Sequence, residues 1–434
     1  MAFQQGLSGL NSASKALDAT SHNIANSSTV GYKSSAVHFG DVYASSLGGG
    51  GASQVGIGVN VAAIQQQFTQ GTITATNNPL DISINGSGFF KMDQNGATSY
   101  TRNGQFHLDK DGFIVNDQAM KLTGYAAQSG IIVPSTPLPI QISASDLPPI
   151  ETGTSTANGF TGVKANLQLD SRVTVPVVSP WVPAATTAPA ATLYTPDPQS
   201  YNYSTALSVY DSLGNSHALT MYMVKTATPG QWQTHFNVDG TSDAYVTPQG
   251  STLTFNSAGA LTSPPISLSI NLASVNSALN LPSNASSPMA FNVDFTGSTQ
   301  FGSAFGTNRL QQDGYAAGHL VGLSVGTNGV IQGRYSNGQT FNQGQVVMAN
   351  FTNPNGLQSL GNNQWVETSV SGPALVGAPN TSNLGTLTAS TVEESNVDLT
   401  AELVNLITEQ RNYQANAQSI KTQDQIMQTL VNLR

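Results

Sequence analysis

Gly322-Leu323-Ser324-Val325-Gly326 matches the GxSxG turn that presents a nucleophilic serine for acyl transfer. That chemistry needs a helix directly after the serine and a catalytic histidine later in the chain. Here the last histidine is His319, ahead of the serine, and Asn328-Gly329 announces a hairpin, so Ser324 reads as a strand residue. Asp109-Lys110-Asp111-Gly112 hints at a calcium loop, but such a loop requires Gly at its sixth position and Glu at its twelfth, where this chain has Ile114 and Met120. Gly56-Ile57-Gly58 lacks the third glycine of a dinucleotide fingerprint, since Val61 stands there. The six histidines, at 22, 38, 107, 217, 235 and 319, show no metal-ligand spacing and read as surface or turn residues. Glu393-Glu394 precede a helical pattern and suit its positive dipole end better than a catalytic pair. With no cysteine there is no thiolate catalysis, disulfide or Cys-based metal site. No cofactor and no enzymatic activity are expected.

The composition narrows the partners. A chain of 434 residues accommodates two to four domains, and 38% hydrophobic residues supply their cores. Only 9% of residues are charged, far below the usual quarter, and the net charge is -9. Fourteen Lys and Arg over this length form no basic patch for nucleic acid. No apolar run approaches the ~18 residues of a membrane span, so no membrane insertion is expected. The N-terminus has neither the basic region nor the apolar core of a secretory signal, and an exported protein would need another route.

The elements that must position everything else lie at the two ends. From Leu399, steps of four and three reach Leu403, Leu406, Gln410, Tyr413, Ala417, Ile420, Asp424, Met427 and Val431, a heptad seam, with Val404, Ile407, Ile426, Leu430 and Leu433 beside it. The sticky face is wider than a two-stranded coil uses, so this helix needs more than one neighbour. At the other end Phe3, Leu7, Leu10, Ser14, Leu17, Ser21 and Ile24 repeat the alternation. No Pro precedes Pro79 or follows Pro379 to break either helix. Burying five large side chains does not offset the entropy of ordering some two dozen residues, and the outer helix faces carry Gln, Asn, Ser and Thr. Two readings follow: termini that order when copies assemble, or an intramolecular hairpin on the β body. Polar Asp424 and Gln410 within the seam fix register, and a buried Asp424 needs a partner.

Between the ends the period falls to two. Asn95-Gly96, Asn103-Gly104, Asp111-Gly112, Asn328-Gly329 and Asn337-Gly338 punctuate short strand runs, predicting antiparallel hairpins and no helix. The Gly48 to Gly51 run reads as a linker or extended arm, and the proline-dense stretch 131–198 as edge strands and connections. The fold class is mainly β with α-helical termini: a coiled-coil-like assembly domain of both helices, followed by nested discontinuous β domains. Its expected parts are 1–30 with 396–434 (helical), 31–74 with 386–395 (linker or arm), 75–145 with 301–385 (inner β) and 146–300 (inserted outer β).

The stretch NIANSSTVGYK, carrying Asn23, Ile24, Ala25, Asn26, Gly31, Tyr32 and Lys33, resembles the signature of the bacterial flagellar rod and hook axial proteins, with His22 where relatives often carry Asn. SNVDLTAELVNLITEQRNYQANAQSIKTQDQIMQTLVNLR at the other end is similar to the same family, as are LDISINGSGFF and YTRNGQFHLDKDGFIV. VYDSLGNSHALTMYMVK and TLTFNSAGALTSP in the long middle favour the hook branch over the distal rod branch; a secreted β-rich glycan-binding protein is the more distant alternative. The resemblance implies a many-copy homo-polymer, export through the flagellar type III apparatus and an extracellular place in the basal body and hook. It further implies a flexible hollow tube joining rod to filament, with distal rod, hook cap, hook-filament junction proteins and the export apparatus as partners.

Overall fold

The computed structural model describes residues 2–42, 56–128, 130–143, 145–155, 159–179, 181–182 and 196–432. The Gly48 to Gly51 run lies outside them. Among the described residues no helix is long and apolar enough to cross a membrane.

The fold is mainly β with a helix at each end. Helix α1 spans Ala2–Ala25, and its last turn is closed by the Asn26 side chain, whose Nδ2 donates to His22 O at 2.9 Å. The C-terminal helix spans Leu399–Asn432 and is capped by Asp398, whose Oδ1 accepts the amides of Thr400 and Ala401. A short helix at Leu272–Ala278, which the turn-rich sequence does not predict, is capped by Asn271 and buries Leu272 and Val275. The three are called α1, α3 and α2.

Two compact units form. One comprises Met1–Ala144, Val321–Arg334 and Thr340–Arg434; the other comprises Ser145–Leu320 and Tyr335–Gln339. In the first, strands at 320–325, 330–335, 340–346, 121–128, 89–94, 97–101, 364–366 and 358–361 lie side by side in that order. Asn95 (φ 52°) and Gly96 (φ 91°) make the two-residue turn that joins Gln94 to its pair Ala97. Phe89, Tyr100, Phe351 and Trp365 pack edge to face beneath the sheet, with Phe68 from outside it. The stretch read as a linker is instead structured on both sides of the glycine run: Ser35–Val42 (β1) and Gly58–Gln66 (β2) form an antiparallel hairpin. Two further pairs, Ile73–Ala75 with Thr391–Glu393 and Ile82–Asn85 with Thr386–Ala389, bind the outgoing chain to the returning one.

The second unit packs two sheets. One orders strands 246–247, 266–270, 289–294, 163–170 and 299–301; the other orders 203–210, 216–225, 231–238 and 251–254. Val163, Ala165, Leu167 and Leu169 alternate inward against Leu219, Met221, Met223, Trp232 and Phe236. Gly306–Gln312 pairs antiparallel with Val163–Asp170, so residues 301–320, assigned from sequence to the inner domain, belong to this outer unit. Leu310 packs against its core, an anchor that turn signals alone do not reveal. Parallel pairing of 168–170 with 299–301 is likewise absent from the hairpin-only expectation.

Candidate subunit-assembly site

The terminal helices pair antiparallel. A Cβ on Gly6 would stand 3.0 Å from Ile420 Cγ1, one on Gly9 2.7 Å from Asn416 Oδ1, and Asn23 Nδ2 donates to Glu402 Oε1 at 3.1 Å. The line of α1 turned inward is Gly6, Gly9, Ala13, Ala16, Thr20 and Asn23, all but half-buried Gly9 buried. This is again an alternation of three and four, displaced by one residue, about 100° of helix, from the predicted seam. Small side chains let the backbones approach; the large ones are left on the flank. Phe3 is 52% exposed and Leu7 is exposed too, while Leu10, Leu17 and Ile24 are half-buried.

The C-terminal helix follows the same logic. Its half-buried residues include Glu402, Leu406, Glu409, Asn416, Ile420 and Gln423, so Leu406 and Ile420 of the predicted seam turn toward α1. Leu399, Leu403 and Tyr413 are exposed, as are Val404 (59%), Ile407, Ile426 and Met427 (61%). Asp424 is exposed and accepts from Gln428 Nε2 at 3.0 Å, a partner within its own helix. The side chain of Val431 lies outside the described residues. The hairpin of β1 and β2 gives α1 a second neighbour: Gln5 Nε2 donates to Gly56 O at 2.5 Å, and Ser8 Oγ accepts from Val59 N at 3.3 Å.

Where the helices meet the sheets, the NIANSSTVGYK residues are knotted together. Asn23, 2% exposed, accepts from Ser35 N and Tyr32 OH and donates to Ser35 O and Glu402. Burial raises the Tyr32 phenol, whose oxygen also meets His22 Nδ1 at 2.8 Å. Ile24 is half-buried, and Ala25, the last residue of α1, is exposed. Gly31 takes φ +71°, and a Cβ there would fall 2.6 Å from Asn103 N, so both conformation and space demand glycine. Lys33 is fully buried and binds Glu393 Oε1 at 2.6 Å, while Arg102 Nη1 binds Oε2 at 3.2 Å. Burial pushes Lys33 and Arg102 below their ordinary values, and the Glu393 carboxylate opposes that shift. Asn396 adds a clasp, accepting from Ser34 N and donating to Gln67 O.

Glu393 therefore departs from its sequence reading. It does not serve the helix dipole, a role taken by Asp398 and Glu402 near the start of α3, but neutralises two buried cations from strand 391–393. The signal that could have revealed it is an acid directly after the β-type pair Thr391-Val392, ahead of the helix cap, in a chain so poor in charge. Two histidines are also not surface residues. His217 is buried with Nδ1 2.6 Å from Asp239 and Nε2 3.4 Å from Asp211, and His235 is buried against the face of Trp181. Ser324 lies on strand Leu320–Val325, followed by a hairpin, and the Asp109 carboxylate closes a tight turn by accepting from Asp111 N and Phe113 N. Among the described residues no His, Asp and Glu groups cluster as a metal site would require.

Comparison with known proteins matches four stretches to flagellar families. Residues 3–33 match the flagella basal body rod protein family, 83–145 the flagellar hook protein FlgE/F/G D1 domain, 166–315 the flagellar basal body protein FlaE D2 domain, and 388–433 the flagellar basal body rod FlgEFG protein C-terminal family. Flagellar hook protein FlgE of Escherichia coli (strain K12) is 41% identical over 439 residues, covering 100% of both chains. The Borreliella burgdorferi protein of the same name is 31% identical over 99% of this chain and 98% of its own. The crystal structure of Helicobacter pylori flagellar hook protein FlgE2 shares the fold with a TM-score of 0.51 at 13% identity, over 74% of this chain and 100% of that one. On full-length identity together with these segment matches, the chain belongs to the flagellar hook protein FlgE family.

Proposed function

We propose that the chain is the structural subunit of the bacterial flagellar hook, acting outside the cell as one of many identical copies. The copies polymerise into a hollow helical tube that bends as it rotates and couples rod to filament. It works by packing and not by chemistry. The observation that carries the assembly mechanism is that both terminal helices, already paired with each other, still present large apolar side chains to solvent, chiefly Phe3, Leu7, Leu403, Val404, Ile407 and Met427. A soluble monomer rarely leaves such a face uncovered.

In this reading Phe3, Leu7, Leu399, Leu403, Tyr413 and Met427 contact neighbouring copies, while Leu406 and Ile420 hold the helix pair within one copy. Each subunit comprises the terminal helices with the inner sheets as one unit and the inserted strands as another. The distal rod, hook cap, junction proteins and export apparatus are its partners at the tube's ends. Electron microscopy of the concentrated protein tests the reading. Curved tubes are expected; uniformly straight rods would move the assignment to a distal rod protein, and persistent monomers would refute assembly through this face.

A further inference from the structure

Polymerisation through apolar helix faces does not by itself call for buried ions, yet the helix root, where the terminal helices meet the sheets, contains three. Lys33 and Glu393 have no side-chain exposure and Arg102 has 4%. One carboxylate gathers the separate segments: Glu393 Oε1 accepts from Lys33 Nζ at 2.6 Å and Gly71 N at 2.9 Å, and Oε2 accepts from Arg102 Nη1 at 3.2 Å. The cations are tied onward, Lys33 Nζ donating to Thr69 O at 2.6 Å and Arg102 Nη2 to Gly86 O at 2.9 Å. Lys33 belongs to the chain leaving α1, Glu393 to the chain entering α3, and Arg102 follows the inner strand 97–101.

Stability alone is a poor reason for such a cluster, because desolvating ions costs about what their attraction returns, and apolar replacements of similar volume often match or exceed it. Short directional bonds differ from apolar contacts in another respect: they permit one geometry and no sliding. We propose that Lys33, Glu393 and Arg102 are positioning residues that fix the angle at which the paired terminal helices leave the inner sheets. They thereby set how one subunit packs on the next. This rests on the hook-subunit reading, since the angle matters only in a polymer.

The test replaces all three ions together, as Lys33→Met, Arg102→Met and Glu393→Leu, so that no unpaired charge is left inside. The expected variant unfolds cooperatively with parental helix content, but its polymers show a broad spread of curvature and diameter in electron micrographs. Polymers indistinguishable from the parent's, or a variant that does not fold, would overturn the proposal. Hydrogen exchange on the unmodified subunit tests it a second way. The Gly71 amide, held by Glu393, should exchange as slowly as amides of strand 89–94, and free exchange there would show the lock to be open. Failure of the parent to polymerise would count against the hook reading, while the exchange measurement still judges the lock.

Discussion

The helical ends and the outer β unit handle apolar side chains in opposite ways. In the outer unit Trp232, Phe236 and Met221 are fully enclosed between two sheets, and the hydrophobic work is finished within one chain. At the ends the helices meet through small residues of α1 such as Gly6 and Gly9, and large side chains including Phe3, Leu403, Val404 and Met427 are turned outward. Under the proposed assembly, the difference separates a part that is complete alone from a part whose burial awaits other copies. Heptad spacing marks which residues are sticky; it does not say to whom they stick.

The largest effect should come from placing charge on the outward face. Leu403→Asp with Ile407→Asp is expected to abolish polymer altogether, while the thermal unfolding of the β units stays unchanged. Sedimentation of polymer beside a calorimetric scan reads both, and polymer from the double variant would erase the contrast drawn here. In the closed region the cost is paid inside one subunit: Trp232→Ala should destabilise the outer unit by about 3–5 kcal/mol, measured by denaturant unfolding, with the helical ends unaffected.

A smaller loss is expected at the root. Gly31→Ala forces an L-residue into left-handed backbone, costing at least about 1–2 kcal/mol, and its Cβ meets the Asn103 backbone besides. Loss of protection at the Gly31 amide, which donates to Glu393 O at 2.7 Å, would report it by hydrogen exchange. An unchanged amide would show that the root does not depend on this turn.

The smallest effect is a pH dependence confined to the outer unit. The Asp239 hydrogen bond raises His217 above its ordinary value of 6.5 against the opposing pull of burial, and Asp211 faces its other nitrogen. Burial acts to raise Asp211, but bonds from Asn215, Leu213 and His217 outweigh it and hold it low; Glu151 is the further acid near Asp211. A raised histidine contributes its stability fully below the unfolded value, and that contribution is lost as pH rises through the folded one. Outer-unit stability should therefore decline from about pH 6.5 upward. His217→Gln should flatten the decline, and a variant with the parental slope would contradict the assignment.

Much of this architecture was legible because it is written in periodicity. Leu399 begins the C-terminal helix, and Asn95-Gly96 and Asn337-Gly338 close hairpins where turn chemistry places them. What stayed hidden depends on contacts between distant segments. Lys33 was visible in a motif, but its acidic partner Glu393 lies 360 residues away and is shared with a second cation, Arg102. The inward line of α1 escaped notice for a different reason: glycine and alanine carry no apolar signal, yet it is their smallness that allows close helix contact. His217 looked like a turn residue because nothing local announces that Asp239 will fold against it.

In the proposed assembly the outward apolar face of the terminal helices is buried between copies. Because the chain lacks cysteine, a single Val404→Cys variant makes that face chemically addressable. Maleimide labelling should be rapid in the soluble subunit, where Val404 is 59% exposed, and strongly suppressed once polymer has formed. Equal labelling rates in subunit and polymer would contradict the account.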